Sequence, residues 1–214
     1  MADPGDKKKR ATYQDVLDAP PHKVAEIING ELRLSPRPAG PHTRAASALG
    51  YALGPPFDEG RGGPGGWVIL IEPELHLGDD IVVPDLAGWR RERFDTQWLG
   101  DNYFTCAPDW ICEVLSLRTA VHDRREKLPL YAAAGVQHAW LVHPIYRSVE
   151  VFRLHEGQLL SIGIHTGDQR VRAEPFDALD LDLSRLWRDV PQPPRPRSSE
   201  PSSSWSFEQE YELQ

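Results

Sequence analysis

The sequence is short of cysteine, of long apolar runs and of excess basic charge. Its two cysteines, Cys106 and Cys112, are too few for a disulfide framework, so a reducing cytoplasm is the expected location. No apolar run approaches the roughly 20 residues needed to span a bilayer. No apolar stretch follows the charged start, so neither a membrane anchor nor a secretion signal is expected.

The formal net charge is −8 at pH 7. A protein that binds nucleic acid through counterion release usually carries a basic excess, so tight non-specific DNA binding by the monomer is not expected. A cluster of carboxylates that holds a metal ion would add to this negative charge, and the metal would cancel part of it locally.

The chain has 214 residues, of which 40% are hydrophobic, and this indicates one globular domain. We expect a disordered leader over residues 1–10 and a folded domain over residues 11–188. Residues 189–214 are rich in proline, serine and arginine, a composition that cannot bury a core and predicts a disordered tail.

The secondary structure can be predicted coarsely from periodicity and turn signals. Asn29-Gly30 predicts a two-residue hairpin, and helical spacing follows from His42 to Leu53. Further strands are predicted over residues 67–77, 81–89, 109–116, 139–142, 148–154 and 158–164, and a helix over residues 122–135. Pro129 lies inside that helix and is tolerated only near a first turn. The order indicates a mixed α/β domain around one sheet.

Three predicted strands each contain one carboxylate among apolar residues. Glu26 lies within 24–28, Asp85 within 82–87 and Glu113 within 110–115. A buried carboxylate without a partner costs several kcal/mol or becomes protonated, so each one needs a partner. A single divalent cation would serve all three. Because side chains alternate along strands, adjacent strands can bring Asp85 and Glu113 side by side.

A fourth candidate is Lys127, which shares a helix face with Tyr131 and Ala134. A lysine on the core-facing stripe could orient the attacking water and offset charge on a phosphate. Asp123, one turn earlier, would then be a capping acid or an ion-pair partner of Lys127. Structural alternatives remain: strand acids often lie at sheet edges or pair with arginine, and a helical lysine can extend its stem along the domain margin.

Other catalytic patterns have little support. The glycine-rich stretch that ends at Gly66 has no Lys-Ser or Lys-Thr after it, so it is not a phosphate loop. Glu72 and Glu74 imitate a glycosidase acid pair, but acids two apart on one strand cannot easily flank a sugar bond. Glu72 remains a candidate outer acid of a metal site.

These segments together resemble the Uma-two family of restriction endonucleases, which belongs to the PD-(D/E)XK nuclease superfamily. The resemblance runs from about Thr12 to Leu160, through "AEIINGELRLSPRP", "VVPDLAGW", "EVLS" and "GVQHAWLVHP" in this order. It implies a restriction-endonuclease-like core with the order α-β-β-β-α-β, a mixed central sheet flanked by helices, and magnesium as the usual metal.

The resemblance also implies roles for individual residues. Pro84-Asp85 corresponds to the "PD", Glu113 to the second acid, and the Val114 carbonyl to a third metal ligand. Leu115 stands where the superfamily has lysine, and Lys127 on the following helix takes that role. Glu26 corresponds to an acid that binds the metal through water or takes a second ion. His42 would contact the phosphate or, alternatively, serve only as a structural residue at the start of a helix.

The implied function is a metal-dependent endonuclease that hydrolyses DNA phosphodiester bonds with Mg²⁺, or with Mn²⁺ as a substitute. A homodimer is expected because cutting two strands takes two sites. The alternative is a nuclease-fold module that binds DNA or a protein without cutting, favoured by Leu115 and the acidic charge. His138-Ala139 departs from the family pattern of an acid followed by tyrosine, and we interpret that change as structural.

Overall fold

A computed structural model describes residues 9–116 and 120–191 of the chain. The predicted disordered tail from residue 192 onward lies outside the described residues, as do the first eight residues of the predicted leader. Within the described ranges, no helix is both long enough and apolar enough to cross a membrane. Cys106 and Cys112 are both free thiols, as their number predicts.

The helical elements are short, apart from one helix of 14 residues. The α-helices are α1 (Tyr13–Leu17), α2 (Gly40–Leu53), α3 (Ala120–His122) and α4 (Leu128–Ala133). Two wider π turns occupy Gly54–Asp58 and Asp123–Lys127, and two 3₁₀ turns occupy Thr96–Gly100 and Leu183–Arg185. Residues 120–133 thus form one helical segment made of α3, a π turn and α4.

Twelve strands form three sheets in the described part of the chain. The strands are β1 (Lys23–Ile28), β2 (Glu31–Pro36), β3 (Trp67–Ile71), β4 (Leu75–Leu77), β5 (Asp80–Val82), β6 (Leu86–Arg90), β7 (Trp110–Val114), β8 (His138–His143), β9 (Ser148–His155), β10 (Gln158–Thr166), β11 (Arg170–Val171) and β12 (Leu181–Asp182). The small sheet has the order β2-β1-β5-β4, the large sheet has the order β10-β9-β8-β7-β6-β3, and β11 pairs with β12.

The prediction of one sheet is therefore wrong, and so are the two long strands over residues 67–77 and 81–89. Each of them is divided between the large sheet and the small sheet. The first divides at Glu72, which has a φ of +48°, a value outside the extended region. The second divides at Pro84, whose nitrogen has no hydrogen to donate to a ladder. Asp85 consequently lies between β5 and β6 rather than inside a strand.

The large sheet is mixed and carries the predicted core order. Reading α2, β3, β6, β7, the segment 120–133 and β8 in turn gives helix, three strands, helix and strand. Strands β7 and β8 pair in parallel, whereas all other neighbours in this sheet are antiparallel. A parallel pair needs a crossover connection. The helical segment 120–133 supplies it and so lies against the sheet.

Two apolar clusters cover the two faces of the large sheet. One contains Leu49 and Leu53 of α2 with the buried tryptophans Trp110 and Trp140. The other contains Tyr131 of α4 with Ile111 and Leu115. Because side chains alternate along β7, Glu113 points to the same face as Ile111, toward the helical segment 120–133.

The π turn explains how Pro129 is accommodated. The helical segment starts at Ala120, but α4 begins at Leu128, so Pro129 lies in the first turn of α4, where the prediction allows it. In a regular α-helix the proline ring collides with the carbonyl four residues earlier. Here the turn before it is wider, and Leu128 N–H donates to the Asp123 carbonyl five residues back. Asp123 and Lys127 both lie on the buried side of this turn.

Gly63, in the loop before β3, packs closely against Pro56. A Cβ atom added at Gly63 would lie 2.6 Å from the Pro56 carbonyl oxygen and 2.8 Å from its Cα. We expect Gly63→Ala to lower the free energy of unfolding by about 1–3 kcal/mol, as overpacking does. Gly100→Ala is the matched control, since no heavy atom lies within 4 Å of its added Cβ. Urea unfolding measures both, and equal stabilities of the two variants would contradict this packing.

Candidate active site

Lys127 forms the centre of a buried charged cluster. Its Nζ lies 2.9 Å from Glu26 Oε1 and 2.8 Å from Glu113 Oε1. The residue is 3% exposed, and Glu113 is 4% exposed. Glu26 comes from β1 of the small sheet, Glu113 from β7 of the large sheet, and Lys127 from the π turn. One ammonium group therefore joins three separate parts of the fold.

Glu26 has a second contact that bears on the site. Its Oε1 also accepts the Val83 backbone N–H at 2.9 Å. Val83 directly precedes Pro84-Asp85, the segment that leaves the small sheet and enters the large one. Glu26 therefore fixes both the ammonium group and the approach of the chain to Asp85.

Asp85 lies next to Glu113 in the register of the large sheet. Leu86 pairs with Cys112, so one further step along the two antiparallel strands places Asp85 opposite Glu113. Val114 N–H donates to Asp85 Oδ2 at 2.6 Å. In an antiparallel ladder the N–H and C=O of one residue point to the same neighbour. The Val114 carbonyl therefore faces the Asp85 side of β7.

His42 is near Asp85 at the start of α2. Its Nε2 lies 3.1 Å from Asp85 Oδ2. Its buried Nδ1 has no hydrogen-bond partner among the described residues. No side chain caps the N-terminus of α2, so the positive end of the helix dipole faces this region.

Two further residues belong to the cluster but were not assigned to the site from the sequence. Tyr131 is fully buried, and its hydroxyl donates to Glu113 Oε1 at 2.6 Å. Asp123 is buried, and its negative charge lies close enough to raise the pKa of both Glu113 and Lys127. The positions of Tyr131 and Asp123 could have been predicted from spacing. Asp123, Lys127 and Tyr131 follow one another at intervals of four residues, which places all three on one face of a helix. Helical spacing predicts that Tyr131 shares the Lys127 face, but this spacing gives the tyrosine no role of its own.

The cluster has more negative charge than positive charge. Glu113 interacts electrostatically with Glu26, Asp85, Asp123 and Lys127. Among the described residues, the three carboxylates Glu26, Asp85 and Glu113 stand against the single ammonium group of Lys127. Burial raises the pKa of Glu113 well above its usual value, and the neighbouring carboxylates raise it further against the effect of Lys127. Burial lowers the pKa of Lys127, but Glu113 and Glu26 outweigh it and keep this pKa well above its usual value.

The three carboxylates do not share one set of partners. Glu26 and Glu113 share Lys127, whereas Asp85 contacts His42 and Val114. Within residues 9–116 and 120–191, no three His, Cys, Asp or Glu side chains form a ready metal-binding group. The geometry thus differs from the prediction that all three acids converge on one shared ion.

The oxygens of Asp85 and Glu113 nevertheless suit a hard cation. The contacts of Asp85 fall on Oδ2 and those of Glu113 on Oε1. Asp85 Oδ1 and Glu113 Oε2 accept no hydrogen bond from the described residues. Two carboxylate oxygens with a nearby carbonyl are ligands that Mg²⁺ accepts, and a cation would offset the net negative charge of the cluster.

Three other residues from the sequence analysis lie around this cluster. Glu72 is exposed, and its N–H donates to the Asp85 carbonyl at 3.0 Å, so it borders the site. Leu115 is part of the apolar core and provides no charged group. His138 lies 3.4 Å from Glu174, away from the acids of the cluster.

A cavity of about 540 Å³ lies elsewhere, between the turns of the small sheet and the outer side of α4. Asn29, Asp80 and Pro129 are among its lining residues, but Glu26, Asp85, Glu113 and Lys127 are not. The charged cluster is therefore not at the bottom of this cavity.

Comparison with known proteins agrees with the fold described above. A crystal structure described as a "putative nuclease belonging to DUF820" from Anabaena variabilis superposes with a TM-score of 0.63 at 24% sequence identity. The match covers 83% of this chain and 97% of that chain, and it shows a common fold. No curated protein matches the sequence.

The profile of the Uma2 family, described as "Putative restriction endonuclease", matches residues 11–184. This range contains the whole charged cluster and both sheets that form it. The chain therefore belongs to the Uma2 family of restriction-endonuclease-like proteins, which identifies it as a member of a nuclease family.

Proposed function

We propose that this protein is a metal-dependent endonuclease that hydrolyses DNA phosphodiester bonds. The observation that carries the proposal is the buried cluster around Lys127, in which Asp85 and Glu113 each keep one oxygen that accepts no hydrogen bond from the described residues. A protein that only binds a partner has no need for an excess of carboxylates over cations such as the described residues of this interior show. Membership of a nuclease family supports the same chemistry.

Asp85, Glu113 and the Val114 carbonyl would hold Mg²⁺, with Mn²⁺ as a substitute. When bound, the ion supplies a lowered pKa for a coordinated water and shields the charge of the scissile phosphate. Val114 also donates its N–H to Asp85 Oδ2, so the same residue orients one acid and offers a carbonyl beside it.

Lys127 would act as a hydrogen-bond donor and not as a base, because two carboxylates hold it as an ammonium group. An ammonium group has three N–H donors, and the carboxylates use two of them. Among the described residues only these two acids form ion pairs with Lys127, so the third N–H would orient the attacking water or contact the phosphate. Glu26 would position Lys127 through Oε1 and would reach a metal ion through water.

The scissile phosphate would lie near the start of α2. His42 is adjacent to Asp85, and the uncapped N-terminus of the helix favours a negative group. Arg37, in the turn before α2, has an exposed side chain 4.0 Å from Glu72. This arginine is suited to contact the DNA backbone beside the site, where its charge would partly offset the acidic surface.

In the reaction, the water oxygen forms a bond to phosphorus and the bond from phosphorus to the leaving sugar oxygen breaks. The family description supports DNA as the substrate. Duplex cleavage needs a site for each strand, so the working unit would be a homodimer. The second candidate is a nuclease-fold module that binds without cutting, favoured by Leu115 in place of the usual lysine and by the net charge of −8.

We expect Asp85→Asn to reduce DNA cleavage by about 10³-fold, equivalent to about 4 kcal/mol of activation free energy. The change removes the charge of one proposed metal ligand and keeps its shape. The measurement is the single-turnover rate on varied DNA substrates with Mn²⁺, with folding of each variant checked by circular dichroism. Asp109→Asn is the control, because Asp109 is also buried but contacts Arg93 and Arg90 outside the cluster. Equal rates for Asp85→Asn and wild type would refute the assignment.

Divalent metal should also stabilise the folded protein. Binding at ten times the dissociation constant contributes about 1.4 kcal/mol, which raises the melting temperature by roughly 3–6 °C for a domain of this size. Thermal unfolding with and without Mn²⁺ measures this rise, and Asp85→Asn should abolish it. If metal leaves the wild-type melting temperature unchanged and no DNA is cut, the non-cutting module becomes the better account.

A further inference from the structure

Tyr131 contacts the same carboxylate oxygen as Lys127. Its hydroxyl is 2.6 Å from Glu113 Oε1, and Lys127 Nζ is 2.8 Å from that atom. Tyr131 is fully buried, and it lies four residues after Lys127 on the helical segment 120–133. A hydrogen bond from a neutral donor to a carboxylate in a dry environment is short and strong. Glu113 Oε1 is therefore held from two directions.

The two acids of the proposed metal site share one pattern. Glu113 has two donors on Oε1, and Asp85 has Val114 N–H and His42 Nε2 on Oδ2. The second oxygen of each accepts no hydrogen bond from the described residues. The terminal torsion of a glutamate side chain has broad energy wells, so its carboxylate plane is defined mainly by such contacts. The two contacts on Oε1 leave Oε2 as the oxygen without a hydrogen bond from the described residues.

We propose that Tyr131 is a positioning residue, which holds the Glu113 carboxylate so that Oε2 remains available to the divalent cation. The inference rests on the proposed function, because it assigns a role within that metal site. Groups that orient a metal ligand usually change metal affinity by about 10–100-fold when they are removed. Tyr131 acts through Glu113 and has no contact with substrate assigned to it.

The alternative is that Tyr131 is only a core residue, because its ring packs among the apolar residues that cover this face of the sheet. Tyr131→Phe separates the two roles, since it keeps the ring and removes the hydroxyl. Tyr13→Phe is a matched control. Tyr13 also has a pKa that is raised, first by its partial burial and then by a neighbouring glutamate, Glu74, but it lies on α1 and outside the charged cluster.

The experiment measures Mn²⁺ affinity of the full-length protein by electron paramagnetic resonance. We expect the dissociation constant to rise about 10-fold or more in Tyr131→Phe and to stay unchanged in Tyr13→Phe. In cleavage assays the Mn²⁺ concentration for half-maximal rate should rise, and most of the maximal rate should return at saturating Mn²⁺. A purely structural role lowers the melting temperature without moving the metal dependence.

Two outcomes would overturn the inference, and they differ from each other. If wild type and Tyr131→Phe bind Mn²⁺ equally well while Asp85→Asn does not, the metal site stands and Tyr131 is only a core residue. If wild type itself binds no Mn²⁺, the proposed function fails and the inference fails with it. Should Tyr131→Phe be less stable, the Mn²⁺-induced rise in its melting temperature still reports on binding. A rise equal to that of wild type counts against the inference.

Discussion

The shared contact of Lys127 with Glu26 and Glu113 is the constraint on which the rest of the site depends. It brings together one strand from each of two sheets and the helical segment between β7 and β8. Removing one partner of a buried ion pair typically costs about 3–5 kcal/mol, because the other charge remains without compensation. Besides its proposed catalytic role, Lys127 thus has a structural role, because its ion pairs connect the small sheet to the large sheet.

This arrangement is costly for a purely structural interior. Among the described residues, Glu26, Asp85 and Glu113 around one ammonium group leave net negative charge where water is largely excluded. Apolar residues of similar volume would often give an equally stable core. The pKa of Glu113 is raised because burial favours the protonated acid, and the neighbouring carboxylates favour it too. A bound cation would relieve the imbalance without a proton, which gives the charge distribution a functional reason.

The division of strands between sheets creates the place where Asp85 lies. The chain leaves the large sheet at Glu72, passes through β4 and β5 of the small sheet, and returns after Pro84. Inside a continuous strand, the backbone hydrogen bonds of the sheet alone would determine the position of an aspartate. In the gap before β6, its carboxylate instead meets Val114 N–H and the His42 ring. The two-residue Asn29-Gly30 turn, with both φ values positive, sets the register of β1 and thereby the position of Glu26.

Local features that depend on short-range physics could be predicted from the sequence alone. These include the hairpin at Asn29-Gly30, the helix that ends at Leu53 and the burial of Glu26, Glu113 and Lys127. The order of elements in the core was implied by the family resemblance and not by local physics. Only the tertiary structure decided which charges meet. The pairing of Glu26 with Lys127 joins residues about a hundred positions apart, and the π turn before Pro129 depends on the packing of a whole helical segment. Alternation and helical spacing determine which way a side chain points, whereas its partner depends on how sheets and helices pack, and that is a property of the complete fold.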